Sequence, residues 1–255
     1  EIRKILIDFL NLQSKILQPK KRNVFIVPSF NSQIDNHHKK LEIQTIIKYA
    51  KCGKNLNCFQ TDKITQSKQI DHLSNEWNIF HFHLSLKPDR KSKFIKRGDL
   101  LLFTYIDNDN IVFLGTAKHK NSFSDIKWLE KLEKNFPSLL KQYLAPDLPA
   151  VNNNISTSKR KRDWERGVSS GFINLNNKAY LSPGIGKVKS SHNVKVIMRS
   201  NHILYWIAKV TDEINKSKYL NKKEKLELKI KEKSIIILSK DTKGILFEYT
   251  ILVLI

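Results

Sequence analysis

Residues 79–86 read Ile79-Phe80-His81-Phe82-His83-Leu84-Ser85-Leu86. Alternation with period two places Phe80, Phe82, Leu84 and Leu86 on one face of a strand, and Ile79, His81, His83 and Ser85 on the other. A strand with an aromatic face must pair, and the following sequence supplies partners. Residues 100–106 (Leu-Leu-Leu-Phe-Thr-Tyr-Ile) are apolar on both faces, as a covered strand requires. Asp107-Asn108-Asp109-Asn110 is a turn, and 111–116 returns as the second arm of a hairpin. An amphipathic helix is predicted over 124–143, with Ile126, Leu129, Leu132, Phe136, Leu139, Leu140 and Tyr143 on its stripe and Pro137 bending or splitting it. Upstream, helical spacing covers 2–17 and 40–52, with Gly53 as the C-terminal cap. A short strand-like run at 23–29 ends at Pro28, and a polar stretch follows at 30–39. The fold class is α+β: a small antiparallel sheet with flanking helices.

Past residue 145 the composition changes. Residues 146–164 hold Pro146, Pro149, Asn152 to Asn154 and the basic block Lys159-Arg160-Lys161-Arg162, which reads as a linker. The expected organisation is an N-terminal α+β module over 1–145, a basic linker over 146–164 and a smaller C-terminal α+β module over 165–255. That last part reads as a hairpin turning at Asn176-Asn177, a helix at about 201–215, a Lys-rich segment at 216–233, and strands at 234–238 and 245–255.

The chain has 255 residues, with 46 Lys and Arg against 24 Asp and Glu, a net charge of +22 at pH 7. A hydrophobic fraction of 40% excludes a disordered polyelectrolyte. Only Cys52 and Cys58 are present, which excludes a disulfide scaffold and reads as two reduced thiols. No apolar run reaches the roughly 18 residues of a membrane span, and 216–233 is too thin on its apolar side for a membrane-surface helix. The first residues, Glu1-Ile2-Arg3-Lys4, show no secretory pattern, so a cytoplasmic location is expected. An excess of cations points to a polyanion, because Lys and Arg that neutralise phosphates release counterions. Joint enrichment in Lys, Asn and Ile is also what compositional bias produces, although bias alone does not deplete acids.

The candidate chemistry sits on the histidine face. His81 and His83 at i, i+2 share one side of a strand, Arg97 opens the next strand, and His119 follows the return strand just past Lys118. If the three strands are neighbours, these groups converge. His81 and His83, with His119 beside them, then exchange protons with a 2′-hydroxyl and a leaving 5′-oxygen, while Arg97 or Lys118 stabilises the phosphorane. This is RNA cleavage without a metal or cofactor, and it favours RNA over DNA. Two other readings compete. The histidines face water without function and the basic face only positions the phosphates of DNA or RNA, or His81, His83, His119 and Asp99 hold the metal of a metal-dependent nuclease. Lys118, Lys159, Arg160, Lys161 and Arg162 are candidate phosphate contacts, and Trp164 beside them is a candidate for base stacking. The turn Ser182-Pro183-Gly184-Ile185-Gly186-Lys187 lacks phosphate-loop spacing.

Arg97-Gly98-Asp99-Leu100-Leu101-Leu102-Phe103, then Ile111-Val112-Phe113-Leu114, His119 and an amphipathic helix, resemble the strand core of RelE/ParE-type toxins over residues 77–143. The resemblance implies a small antiparallel sheet that presents basic residues and His to messenger RNA, with Arg97 and His119 as the positions carried over. It implies a toxin or phage-defence endoribonuclease, and an acidic protein partner that neutralises it. His83-Leu84-Ser85-Leu86 resembles one copy of the signature of two-histidine phosphoesterases, but neither His119-Lys120-Asn121-Ser122 nor His202-Ile203-Leu204-Tyr205 supplies the second copy.

Overall fold

The computed structural model describes residues 1–67, 71–89, 92–119, 122–148, 156–166, 168, 171–184, 192–216, 226–231, 234–239 and 245–250. The chain divides into two compact units, 1–197 and 198–255. The first is α+β, with helices α1 (Ile2–Gln13), α2 (Pro28–Ile34), α3 (Lys40–Lys51), α4 (His72–Trp77), α5 (Lys127–Asn135), α6 (Pro137–Leu140) and α7 (Thr157–Glu165), and the start of α8 (Val194–Lys216). Its strands are β1 (Asn23–Ile26), β2 (Ile79–His83), β3 (Leu100–Ile106), β4 (Asn110–Lys118), β5 (Phe172–Leu175) and β6 (Lys178–Leu181). The second unit contains an antiparallel three-stranded sheet of β7 (Leu226–Lys231), β8 (Ser234–Ser239) and β9 (Ile245–Thr250), in that order.

The main sheet has the order β1-β4-β3-β2. β2, β3 and β4 are antiparallel, with His81 opposite Phe103 and His83 opposite Leu101. β1 pairs with β4 in parallel, Val24 beside Ile111, so the sheet is mixed. The parallel pair is closed by a long crossover, which a pattern of local alternation does not encode. β3 is buried along nearly its whole length and β4 from Ile111 to Gly115, as their two-faced apolar sequence requires. Helices α2 and α5 pack against β4, and α4 against β2.

Three local devices fix the frame. Pro28 stops β1 and, with φ already preset, starts α2 at once, so part of the stretch read as polar loop is helical. Pro137 splits the predicted 124–143 helix into α5 and α6. A bulge between Phe103 and Thr104 lies beside Gly115, whose φ of +143° suits glycine. A Cβ there would approach Trp128 at 3.4 Å and the Lys131 ammonium at 3.1 Å. The space it leaves is taken by Trp128, which stacks on Phe103 with ring centroids 4.3 Å apart. Phe103 is in turn the cross-strand partner of His81.

The hairpin β5–β6 turns at Asn176-Asn177, both with positive φ, the geometry of a type I′ turn. It docks on α5 through Glu133, which is buried and accepts hydrogen bonds from Tyr180 Oη at 3.2 Å and from Asn176 Nδ2. The segment read as a linker contains α7. Arg160 of that helix is 8% exposed and faces Glu76 of α4 at 3.9 Å.

Candidate functional site

Strand β2 is covered on both faces, because helix α4 leads straight into it. Asp71 caps α4, its Oδ1 accepting from the Ser74 N–H at 3.2 Å, and Asn78 closes the helix in the left-handed conformation with β2 beginning at Ile79. Such a short helix holds its cap close to the strand that follows. The other Asp71 oxygen, Oδ2, lies 2.8 Å from His81 Nδ1. With Asp71 ionised, Nδ1 carries the proton, and Nε2 is the nitrogen left to exchange protons.

His81 lines a cleft of about 340 Å³ together with His83, Arg97 and His119. All four candidate catalytic residues therefore share one cavity wall. Phe123 stands between two of them, its ring centroid 4.8 Å from His81 and 4.8 Å from His119, so at most twice that distance separates the imidazoles. His119 is placed at the end of β4 by its N–H, which donates to the Asp99 carbonyl at 3.0 Å. Burial sets the His119 imidazole below its ordinary pKa, and His81, Arg97 and Lys63 push it the same way.

His83 has a different environment. It is 2% exposed, and its Nδ1 is 3.3 Å from the Gly98 carbonyl, a contact in which the neutral imidazole donates. Burial, reinforced by His81, pushes its pKa down to about 4. A histidine that stays neutral at neutral pH orders the cleft floor and does not supply a cation.

Arg97 reaches the cleft from the segment before β3. Its Nη2 donates to Thr61 Oγ1 at 2.8 Å and pairs with Asp62, both partners being about half exposed. That guanidinium holds the Asp62 carboxyl below the usual carboxylate range. The Asp71 carboxyl also lies low. Burial opposes this, but the charge and hydrogen bond of His81, the Ser74 N–H and the charge of His72 together outweigh it.

Spacing did not reveal several further residues of the wall. Lys15 is 6% exposed at the end of α1, its ammonium donating to the Gln66 carbonyl at 2.7 Å and the Ser67 carbonyl at 3.1 Å, and burial lowers its pKa to about 8. Lys63 follows the Thr61 cap of a short 3₁₀ turn. Asp71 carried a local signal, since Asp71 and Ser74 have capping spacing ahead of an apolar residue pair and Asn78.

The other candidates lie elsewhere. Lys118 is exposed at the end of β4 and is not part of the cleft wall. Lys159, Lys161 and Arg162 are exposed on α7, whereas Arg160 is buried against Glu76. The side chain of Trp164 and residues 185–187 of the glycine-containing turn lie outside the described residues. Among the described residues no group of three or more His, Cys, Asp or Glu is gathered to hold a metal ion, so His81, His83, His119 and Asp99 do not form one coordination sphere. No helix among them is long and apolar enough to cross a membrane.

The cleft therefore combines an Asp-buttressed imidazole, a second imidazole of different electrostatic setting, a guanidinium and two ammonium groups. Such a set has the chemistry to hold an anion and to exchange protons on either side of it. Comparison of the chain with protein-family models, with curated proteins and with solved structures yields no match.

Proposed function

We propose that the chain is a metal-independent endoribonuclease of toxin or phage-defence type, acting on RNA in preference to DNA inside a cell. The observation that carries this reading is the shared cleft of His81, paired with Asp71, and His119, with Arg97 at its wall. The two imidazoles divide the work by environment. His119, set toward its neutral form, is the general base that takes the 2′-hydroxyl proton. The 2′-oxygen attacks phosphorus, and the bond to the 5′-oxygen breaks. The leaving oxygen takes its proton from His81, whose positive charge Asp71 balances. The products are a 2′,3′-cyclic phosphate and a 5′-hydroxyl, and DNA offers no nucleophile for this step. Arg97 leaves Asp62 for the phosphate, and with Lys63 it offsets the charge of the phosphorane. His83 holds the floor. The resemblance to RelE/ParE-type toxins supports the same class, and a cationic cleft of this kind would be neutralised by an acidic protein partner.

The test is incubation of the full chain with labelled RNA and DNA, with and without EDTA, beside His81→Ala and His119→Ala variants. The reading expects RNA cleavage that survives EDTA, yields the cyclic phosphate and falls roughly 10²–10⁴-fold in either variant. Retardation without cleavage would replace it with non-catalytic binding, and EDTA-sensitive cleavage would replace it with a metal-dependent reaction.

A further inference from the structure

Helix α7 carries charge in an ordered way. Arg160 turns inward and meets Glu76 at 3.9 Å, both nearly fully buried, so the helix is docked on α4 with a known rotation. It also packs against Ser122–Ser124, the turn that carries Phe123 between His81 and His119. With 100° per residue counted from Arg160, Lys159, Arg162 and Arg166 fall on one flank within an arc of about 60°. The N–H of Arg166 donates to the Arg162 carbonyl at 3.0 Å, which keeps it on that last turn. Lys161 falls on the opposite flank, where Glu165 lies 3.9 Å away and offsets it. Asp163, half-buried, lies nearer the docked side. Lys159 and Arg162 are exposed, as is Arg166.

We infer that the flank Lys159, Arg162 and Arg166 of α7 is a second binding subsite, which holds the phosphates of the RNA strand adjacent to the one cleaved in the His81–His119 cleft. This rests on the reading of the cleft as RNA-directed and adds where the rest of the strand lies. The helix is joined to both elements that build the cleft wall, α4 through Arg160 and the Ser122–Ser124 turn through packing. A strand leaving the cleft along that wall would meet three exposed cations about one helical turn apart, with roughly 5–6 Å between neighbouring Cβ atoms. Arg160 is a positioning residue here and touches no substrate. The buried Arg160–Glu76 contact gives this flank a defined orientation, which a Lys-rich surface on an undocked segment would lack.

The experiment separates holding from cutting. The full chain carrying His119→Ala is titrated with a fluorescent single-stranded RNA of about 12 nucleotides, across about 50 to 200 mM salt. The same titration is made with Lys159→Gln/Arg162→Gln/Arg166→Gln and with Lys161→Gln added to that background. Thermal unfolding of each variant checks the fold. The triple variant should bind roughly 10²–10³-fold more weakly at the lowest salt and show a log–log salt slope smaller by about 2, three phosphate contacts at 0.7 each. Lys161→Gln should change affinity less than about twofold. In the catalytically intact chain, the triple substitution should slow cleavage of the long strand while leaving a dinucleoside monophosphate unaffected. An unchanged slope in a folded triple variant overturns the subsite, whether or not the wild type cuts RNA. An equal loss from Lys161→Gln overturns it also, because it would show diffuse charge. A salt slope that depends on the flank, in a wild type that never cuts, upholds the subsite and removes the catalytic reading alone. Loss of binding to anionic phospholipid vesicles with RNA affinity intact would assign the flank to a membrane surface and overturn the subsite.

Discussion

At the scale of single residues, Asp71 does two jobs with two oxygens. One caps α4 at Ser74, and the other meets His81 Nδ1 at 2.8 Å. Asp71→Asn keeps one acceptor but cannot balance an imidazolium, and its amide can turn a donor toward Nδ1. Cleavage should fall by about 10²-fold or more, measured as kcat/KM, with a stability cost of about 1 kcal/mol by urea unfolding. A loss confined to stability would assign Asp71 to the cap alone. The same scale carries a pH prediction. Burial and the surrounding cations set His119 below its ordinary value of 6.5, and the base acts when deprotonated. Activity should therefore rise with pH through a limb below 6.5 and be lost as pH falls through it. Lys63→Met removes one of the charges that depress His119, so that limb should move to higher pH in a profile of kcat/KM. A limb that moves the other way would show that His119 is not the base.

Elements whose pattern is local were legible in the sequence. β2 and β3, the break at Pro137 and the Asn176-Asn177 turn follow from alternation, a missing N–H and positive φ, each confined to a few neighbours. The convergence of His81, His83, Arg97 and His119 was legible for the same reason, since adjacent antiparallel strands bring their ends together. What stayed hidden was non-local or short. β1 finds β4 in parallel across more than eighty residues, and α4 is too brief to show a period although both its caps are written in the chain. The competing reading of a histidine face open to water fails at His83, which is buried, for a related reason: α4 and the Phe123 turn lie beside this strand, and neither announces itself by periodicity. The bulge at Gly115 is where this element-level packing is tightest. Gly115→Ala forces a left-handed backbone on alanine and presses on Trp128, which supports Phe103 under His81. It should destabilise the chain by about 2 kcal/mol in urea unfolding and reduce cleavage along with stability. Full stability in that variant would mean that Trp128 and Lys131 yield freely.

For the whole molecule, a net charge of +22 at pH 7 is a standing cost, because a compact chain holds its cations closer together than an unfolded one does. The cleft adds a second cost that grows on acidification. His83 is buried neutral, with a folded-state pKa of about 4 against an ordinary 6.5. Its folded value is the lower one, so protons bind the unfolded chain more readily. The stability this group contributes is fully present above pH 6.5 and is lost as pH falls from 6.5 toward about 4, to a limit of about 3 kcal/mol. The two costs respond differently to salt. About 0.3 M sodium chloride screens the long-range repulsion among exposed Lys and Arg but reaches the His83–Gly98 contact little. Thermal unfolding followed between pH 7 and pH 4 should show a falling midpoint at both ionic strengths, with salt recovering part of the loss at every pH. His83→Gln, which keeps a side-chain donor for the Gly98 carbonyl but does not titrate, should start from a lower midpoint at pH 7 and then fall less steeply. A slope unchanged by that substitution would place the acid sensitivity in the charge of the chain as a whole, and would show that His83 is reached by water before the fold gives way.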